Sequence, residues 1–386
     1  MAKLIDITGK AIPGEWGTED TEGSGIPVLR TTNFTNDGVV DYSDVVTRAI
    51  TKKSINEKYL RNGDIIIEKS GGSDKQPVGR VIFFRGNEKT YLFNNFTGLL
   101  RVKEPSKWYP RYVFYALFAN YITGGTRRFE NKTTGLHNLK TDDFVTSFDV
   151  KDNSLEVQMK ICSILDQTKE LINKSQKQLI KLDDLIKARF VEMFADPVAN
   201  PKGWPVRPLL EMGNCKNGMN FHYDDSGIEI PCLGVGDFKD RSVINDVASL
   251  PMVSLNEIPS EEYLLHDADI VFVRSNGNKA LVGRSVAVYP NGIPTTFSGF
   301  CIRYRKYDNN ITVPYLLRVL KTDSIRAKMF GRGANIQNLN QQILGTIIIP
   351  VPPMDLQNRY NAFAAQVDKS KIVVQKCLTL ERATLW

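Results

Sequence analysis

The sequence predicts an α/β (α+β) protein with an internal pseudo-two-fold repeat: two globular mixed α/β domains separated by long helices. Three observations predict it. The same ordered motifs occur twice, about 200 residues apart. Short apolar runs bounded by turn residues fill the globular part of each half. Between the halves lies a stretch, from about Ser154 to Phe194, with no glycine or proline and with apolar residues at helical spacing.

Four echoes carry the repeat. Gly25-Ile-Pro-Val-Leu-Arg-Thr-Thr-Asn-Phe34 answers to Glu229-Ile-Pro-Cys-Leu-Gly-Val-Gly-Asp-Phe238. Gly63-Asp-Ile-Ile-Ile-Glu-Lys-Ser-Gly-Gly72 answers to Ala268-Asp-Ile-Val-Phe-Val-Arg-Ser-Asn-Gly277, each followed by Val-Gly-Arg. Asn95-Phe-Thr-Gly98 is set against Thr296-Phe-Ser-Gly299, and His137-Asn-Leu139 against Gln337-Asn-Leu339. One short match arises by chance; four in the same order do not. The period is far longer than that of a solenoid.

In each globular part, the runs Ile65–Ile67, Val81–Phe84, Ile270–Val273 and Ile347–Ile349 read as strands. Gly71-Gly72 and Asn276-Gly277 read as tight turns after the first strand of each copy. Tyr109–Tyr121 and Pro314–Met329 read as helices. The central helix has its seam at Ile161, Leu165, Thr168, Ile172, Ser175, Leu179, Leu182 and Ile186, spaced by fours and threes. About 40 residues at 1.5 Å each span about 60 Å, roughly 18 base pairs of duplex. Asp196-Pro197 ends it. A looser second helix, with Phe363, Val367 and Val374 on its seam, follows the prolines of Pro350-Val-Pro-Pro353. The expected division is 1–150, a helix over 151–195, a linker over 196–203, a second domain over 204–352 and a second helix over 353–386.

Composition excludes several classes. No segment reaches the ~20 uncharged apolar residues of a membrane span. The opening MAKLIDITGK has no apolar leader region, so a cytoplasmic protein is expected. Cys162, Cys215, Cys232, Cys301 and Cys377 are scattered without a Cys-x-x-Cys pair, as are His137, His222 and His266, so neither a disulfide framework nor a zinc site is expected. With 50 Lys and Arg against 43 Asp and Glu, the formal charge is +7, which suits a polyanionic partner.

The order of globular part, long helix, globular part, long helix resembles the specificity subunit of type I restriction–modification systems. The resembling residues are Gly203-Trp-Pro-Val-Arg-Pro-Leu-Leu210, the two Asp-Ile strands with their Ser-Gly-Gly and Ser-Asn-Gly sequels, Gln158-Met-Lys-Ile-Cys-Ser-Ile-Leu-Asp166, Leu182-Asp-Asp-Leu-Ile186, and the exit Ile349-Pro-Val-Pro-Pro353. The first domain lacks the opening tryptophan and the double proline. The resemblance implies two target recognition domains, each reading one half of an asymmetric, split double-stranded DNA sequence. It implies that the helices pack antiparallel as a coiled-coil spacer and dock two adenine-N6 methyltransferase subunits, and that two restriction subunits can join. S-adenosylmethionine, ATP and Mg would then sit on the partners, and this chain would bind no cofactor and catalyse nothing.

The residues themselves agree with that implication. The sequence contains no Gly-x-x-x-x-Gly-Lys-Ser/Thr phosphate loop. Gly331-Arg-Gly-Ala-Asn-Ile336 lacks the third glycine of a dinucleotide fingerprint and follows a helical stretch. Asp64, Glu68 and Lys69 loosely match a metal-dependent nuclease, but Glu68 and Lys69 face opposite sides of a strand and Glu68 becomes Val273 in the other copy.

Residues of the types that read bases and phosphates cluster in two loops per copy. After the Asp-Ile strand stand Lys69, Ser70, Gly71, Gly72, Lys75 and Arg80, against Arg274, Ser275, Asn276, Asn278, Lys279 and Arg284. Before the final strand stand Arg127, Arg128, Lys132, His137 and Asn138, against Arg326, Lys328, Arg332, Asn335, Gln337 and Asn338. Arg30 lies in an early third turn. The copies differ most in these loops, as two readers of different half-sites would. The competing reading is a two-domain coiled-coil protein-interaction scaffold without DNA specificity, whose binding would lack the steep salt dependence of phosphate contacts.

Overall fold

Three consecutive β-branched residues at 65–67 suit a strand covered on both faces. In the computed structural model of the chain, all three are fully buried in the strand Ile65–Glu68. The structure describes residues 1–51, 55–133, 136–221, 227–238, 241–329 and 338–385. It divides into two compact units, Met1–Lys174 joined by the chain from Leu378 onward, and Ser175–Cys377.

In the first unit, Ile65–Glu68 is central in a four-stranded antiparallel sheet in the order Ile12–Pro13, Thr97–Leu100, Ile65–Glu68, Val81–Phe83. The helix Pro110–Ile122 packs on Val81–Phe83 and buries Phe114, Leu117 and Phe118. A second sheet pairs Ile26–Leu29 antiparallel with Val46–Ala49 and parallel with Leu92–Phe93.

The second unit repeats the plan. Asp269–Val273, buried at all five residues, lies between Cys301–Lys306 and Ser285–Val288 in a five-stranded sheet. Ile228–Leu233 pairs antiparallel with Met252–Leu255 and parallel with Thr296–Phe297. The helix Val313–Leu320 packs on Ser285–Val288.

Two buried polar devices recur in both units. Arg101 clamps Asp64 through Nε–Oδ1 and Nη2–Oδ2 bonds of 2.8 and 2.7 Å, and Nη2 also donates to the Tyr59 carbonyl at 2.8 Å. Arg305 clamps Asp269 in the same way at 2.9 and 2.8 Å, and donates to the Leu264 carbonyl at 2.8 Å. Buried carboxylates need such pairing, so the Asp of each Asp-Ile motif is structural. The second device is a fully buried glutamine in the first turn of each long helix. Gln158 accepts Tyr109 N–H at 2.8 Å and donates to the carbonyls of Lys107 and Asn153. Gln357 accepts Thr312 N–H at 2.8 Å and donates to those of Asn310 and Pro352.

The opening and exit of each globular part pair as a short ribbon. Ala2–Lys3 lies against Asp149–Val150, and Val206–Pro208 against Ile348–Pro350. The first domain, without tryptophan or double proline, thus closes as the second does.

The central helix runs Leu155–Phe194, 40 residues. Its first turns give Ile161, Cys162 and Leu165 to the first core. Its last turns give Phe190 and Phe194 to the second, where both pack on Tyr315 and Tyr360 with ring centroids 4.8–5.9 Å apart. Ala195, at φ +61, ends it. The second long helix spans Met354–Leu385. Within the second unit the two run antiparallel: Phe190 meets Tyr360, Arg189 lies over Phe363, and Lys371 bonds Asp183 at 2.6 Å. Of the seam positions, Ile172 and Val367 are buried, while Ile161, Leu165, Thr168, Ser175, Leu179, Leu182, Ile186, Phe363 and Val374 are half-buried. The intervening Ile164, Leu171, Ile180, Ile372 and Val373 are at least half exposed.

Three expectations need correction. Gly71-Gly72 is not a tight turn: Ser70–Gly72 is itself a strand paired with Leu136–Leu139. A Cβ on Gly72 would fall 2.5 Å from Val78 N, so glycine serves close approach here. Pro314–Met329 is two helices, Val313–Leu320 and Asp323–Met329, broken where Thr322 Oγ1 donates back to the Val319 carbonyl at 2.7 Å. The third echo is misaligned. Leu92–Phe93 and Thr296–Phe297 make the same parallel pairing, and Thr97 N–H bonds Asn94 as Cys301 N–H bonds Ser298. Phe96 therefore corresponds to Phe300, not Phe297.

Candidate nucleic-acid interface

The two candidate loops of each copy are far apart in sequence and are joined by backbone bonds. In the first unit Leu139 N–H donates to the Lys69 carbonyl at 2.8 Å, and Asn138 stands opposite Ser70 and His137 opposite Gly72. In the second, Leu339 N–H donates to the Arg274 carbonyl at 2.8 Å and Asn338 bridges Ser275. The preceding strand–strand turn joins the same surface. The Phe96 carbonyl accepts Lys69 N–H and Ser70 N–H at 2.8 and 3.2 Å; the Phe300 carbonyl accepts Arg274 N–H and Ser275 N–H at 2.8 and 3.3 Å. Both rings face solvent, Phe96 50% and Phe300 61% exposed. An exposed phenylalanine repeated on the same scaffold is a feature the misaligned echo had hidden.

On the first unit Lys75, Arg127 and Arg128 are exposed. Lys75 and Arg127 line one open groove of about 740 Å³ with Asn36, Gln76, Tyr121 and Thr123. Arg127 Nη2 reaches the Asp74 carbonyl at 3.3 Å, and Arg128 lies over the Phe129 ring at 4.8 Å. Ser70 and Asn138 are half-buried on the paired strands. Lys69 lies along Gly98, and burial lowers the pKa of its ammonium. Arg30 is held by Asp44 at 2.9 Å.

Arg80 and His137 are engaged by neighbouring segments of the unit. Arg80 donates to the carbonyls of Phe34 and Thr31 at 2.8 and 2.9 Å and faces Glu68 at 3.4 Å. Burial pushes the Glu68 carboxyl up, against the opposing pull of Arg80. His137 is 6% exposed with Nδ1 3.2 Å from Glu130. Both residues fasten the loops from inside, a use of basic residues that composition does not separate from ligand contact.

On the second unit Arg274 Nη1 donates to the Gly299 carbonyl at 3.2 Å. The Asn276 and Asn278 side-chain oxygens accept from the backbone two residues on, at 2.8 and 3.0 Å, and shape the loop as successive Asx turns. Asn338 is exposed and Arg284 half-buried. Arg332, Asn335 and Gln337, and the side chains of Lys132 and Lys279, lie outside the described residues. The sequence reading also passed over Arg241 and Lys321, which join Arg284 in a basic pocket.

Among the described residues no group of three or more His, Cys, Asp or Glu is placed to hold a metal ion. No helix among them is long and apolar enough to cross a membrane.

A family model described as the type I restriction modification DNA specificity domain matches residues 2–182 and again residues 201–381. The chain is 25% identical to the type I restriction enzyme StySPI specificity subunit of Salmonella potsdam, over 92% of this chain and 78% of that one. It is 26% identical over 187 residues to the type I restriction enzyme EcoKI specificity subunit of Escherichia coli (strain K12), over 44% of this chain and 38% of the relative. Two solved structures share the fold. The S subunit of a type I restriction–modification system from M. genitalium superposes with TM-score 0.55 at 16% identity, over 100% of this chain and 93% of that one. A chain from a structural study of the complex assembly and conformational transition of the type I R-M system superposes with TM-score 0.60 at 14% identity, with the same coverage. With the family match falling once on each half of the repeat, the chain belongs to the type I restriction–modification DNA specificity family and is a non-catalytic specificity subunit with two such domains.

Proposed function

We propose that each globular part reads one half of an asymmetric, split double-stranded DNA target through its joined pair of loops. Lys75, Arg127 and Arg128 on one unit, and Arg284 on the other, take phosphates. Asn138, Asn276 and Asn338 meet base edges. Phe96 and Phe300 make apolar contact with the bases, as phenylalanine does with a thymine methyl. The long helices set the gap between half-sites and dock two adenine-N6 methyltransferase subunits, which bring S-adenosylmethionine. Two restriction subunits, using ATP and Mg, complete the assembly in the cytoplasm.

The single observation that carries this reading is the shared frame of the loops. The bonds from Leu139 to Lys69 and from Leu339 to Arg274 are the same, while the side chains they display differ between copies. One scaffold carrying two different sets of contacts suits two different half-sites. The test is footprinting of the assembled methyltransferase complex on its methylated target. Two protected patches flanking a sequence-tolerant gap are expected; one continuous patch, or protection indifferent to sequence, would sink the reading.

A further inference from the structure

The second unit holds a pocket of about 340 Å³ lined by six cationic side chains, Lys187, Arg241, Arg284, Arg318, Lys321 and Arg326, and by no carboxylate among the described residues. They come from separate segments: the long helix, the chain after Phe238, the approach to Ser285–Val288, the helix Val313–Leu320 with the residue that caps it, and the helix Asp323–Met329. Like charges gathered this closely disfavour one another. Carboxylates outside the lining offset part of this: Asp184 lies 3.4 Å from Lys187, and Asp323 acts on Arg326. Arg326 Nη2 donates to the carbonyls of Ala280 and Val282 at 3.0 and 2.9 Å, and Lys321 Nζ to Ser242 Oγ at 2.8 Å. The carboxylates that act on Lys321, Asp183 and Asp368, are themselves held by Lys371 at 2.6 and 3.3 Å.

Two buried polar atoms on lining residues have no hydrogen-bond partner among the described residues, Arg318 Nε and Ser285 Oγ, and Ser285 is 3% exposed. Burial, with Arg318 and Lys371 adding to it, lowers Lys321 to about 8, and burial with Arg284 lowers Arg326. These are the marks of a site built for negative charge.

The other copy fills the same positions differently. The matched caps at Tyr109 and Thr312 place Tyr115 where Arg318 stands and Phe118 where Lys321 stands. The aligned Phe34 and Phe238 place Asp37 opposite Arg241. Val81 pairs with Ile67 as Ser285 pairs with Phe272. Phe118 and Val81 are core residues there. The charges of Arg241, Arg318 and Lys321 therefore belong to one copy, whereas Arg284 has a counterpart in Arg80.

We propose that this pocket binds a phosphate group, with Arg241, Lys321 and Arg326 as its charged ligands and Ser285 as a neutral donor. Phosphate fits because it accepts several charge-assisted hydrogen bonds at once. It has two sources, a backbone phosphate of bound DNA or a free polyphosphate. The first rests on the DNA-reading function proposed above; the second does not.

The full chain and its Arg241→Ala/Lys321→Met variant are titrated with inorganic pyrophosphate by calorimetry, and the DNA affinity of each is measured against salt. Methionine keeps the lysine stem and Arg241 is exposed, so a melting midpoint no lower than that of the wild type is expected; Arg241→Ala alone serves should the double variant fail to fold. Pyrophosphate binding about tenfold weaker in the variant, retained by Lys321→Arg, supports the site. A salt slope smaller by about 0.9 for each lost contact assigns the occupant to DNA, with or without pyrophosphate binding. Lost pyrophosphate binding with an unchanged slope assigns it to a free polyphosphate. Equal slopes together with equal or absent pyrophosphate binding in the two proteins overturn the proposal. Should the wild-type chain fail to bind DNA, the proposed reading of DNA falls while the pyrophosphate titration still decides the phosphate site.

Discussion

Gln158 Oε1 accepts the backbone N–H of Tyr109 at 2.8 Å, so the first turn of the central helix caps the helix Pro110–Ile122 across 49 residues of chain. Gln357 and Thr312 repeat the relationship in the second unit. Replacing either glutamine by alanine leaves one N–H and two carbonyls without a partner in a site closed to water. Each substitution is expected to destabilise by about 2–3 kcal/mol, by similar amounts in the two units. Chemical denaturation of the single variants checks this; a loss under about 0.5 kcal/mol would mean water replaces the amide.

The clamps Arg101–Asp64 and Arg305–Asp269 bury their carboxylates almost completely, at 2% and 1% exposure. Asp64→Asn keeps the shape and removes the charge that faces the guanidinium. A loss of about 2–4 kcal/mol is expected, partly restored in the double variant Asp64→Asn/Arg101→Met. A double-mutant cycle in denaturant measures the coupling, and additive losses would show that the two side chains do not act as a pair.

Phe96→Ala and Phe300→Ala are expected to leave the melting midpoint unchanged, because both rings are exposed. Each is expected to weaken DNA binding by about 1–2 kcal/mol, and each against its own half-site. Affinities for targets substituted in one half at a time separate the effects. Equal responses to both halves would contradict a division of reading between the units.

Lys321 is lowered to about 8 by burial beside Arg318 and Lys371, with Asp183 and Asp368 opposing and Ser242 as its hydrogen-bond partner. Below pH 8 the folded and unfolded chains both carry the charge, and the fold bears its cost. From about 8 up to the ordinary lysine range the folded chain binds fewer protons, so stability rises with pH. Lys321→Met is expected to be more stable than wild type at pH 7, by on the order of 1–2 kcal/mol, with the difference closing by about pH 10. Denaturant midpoints across that range test the sign; a gap that widens with pH would contradict it.

The long helix and the buried strands were readable because each has a strict period and few interruptions. What escaped the sequence was what pairs with what. Gly71-Gly72 reads as a turn from composition, yet Gly72 is small because Val78 passes close to it. Phe-Thr-Gly and Phe-Ser-Gly look alike, but the parallel pairing of Leu92–Phe93 and Thr296–Phe297 aligns Phe96 with Phe300. Arg80 and His137 share residue types with the exposed candidates and differ in bonding to neighbouring segments, which no local pattern encodes. The basic pocket draws on residues spread from Lys187 to Arg326, too dispersed to form a motif.

The ribbons that pair Ala2–Lys3 with Asp149–Val150, and Val206–Pro208 with Ile348–Pro350, bear on heredity. A segment whose two ends are hydrogen-bonded to each other can be exchanged whole, since an incoming segment has to match only a short ribbon, the helix beside it and the glutamine of that helix. Genetic crossovers falling at these ribbons would shuffle intact readers between chains, so a new pairing of half-sites can arise in one event without either domain having to relearn how to fold.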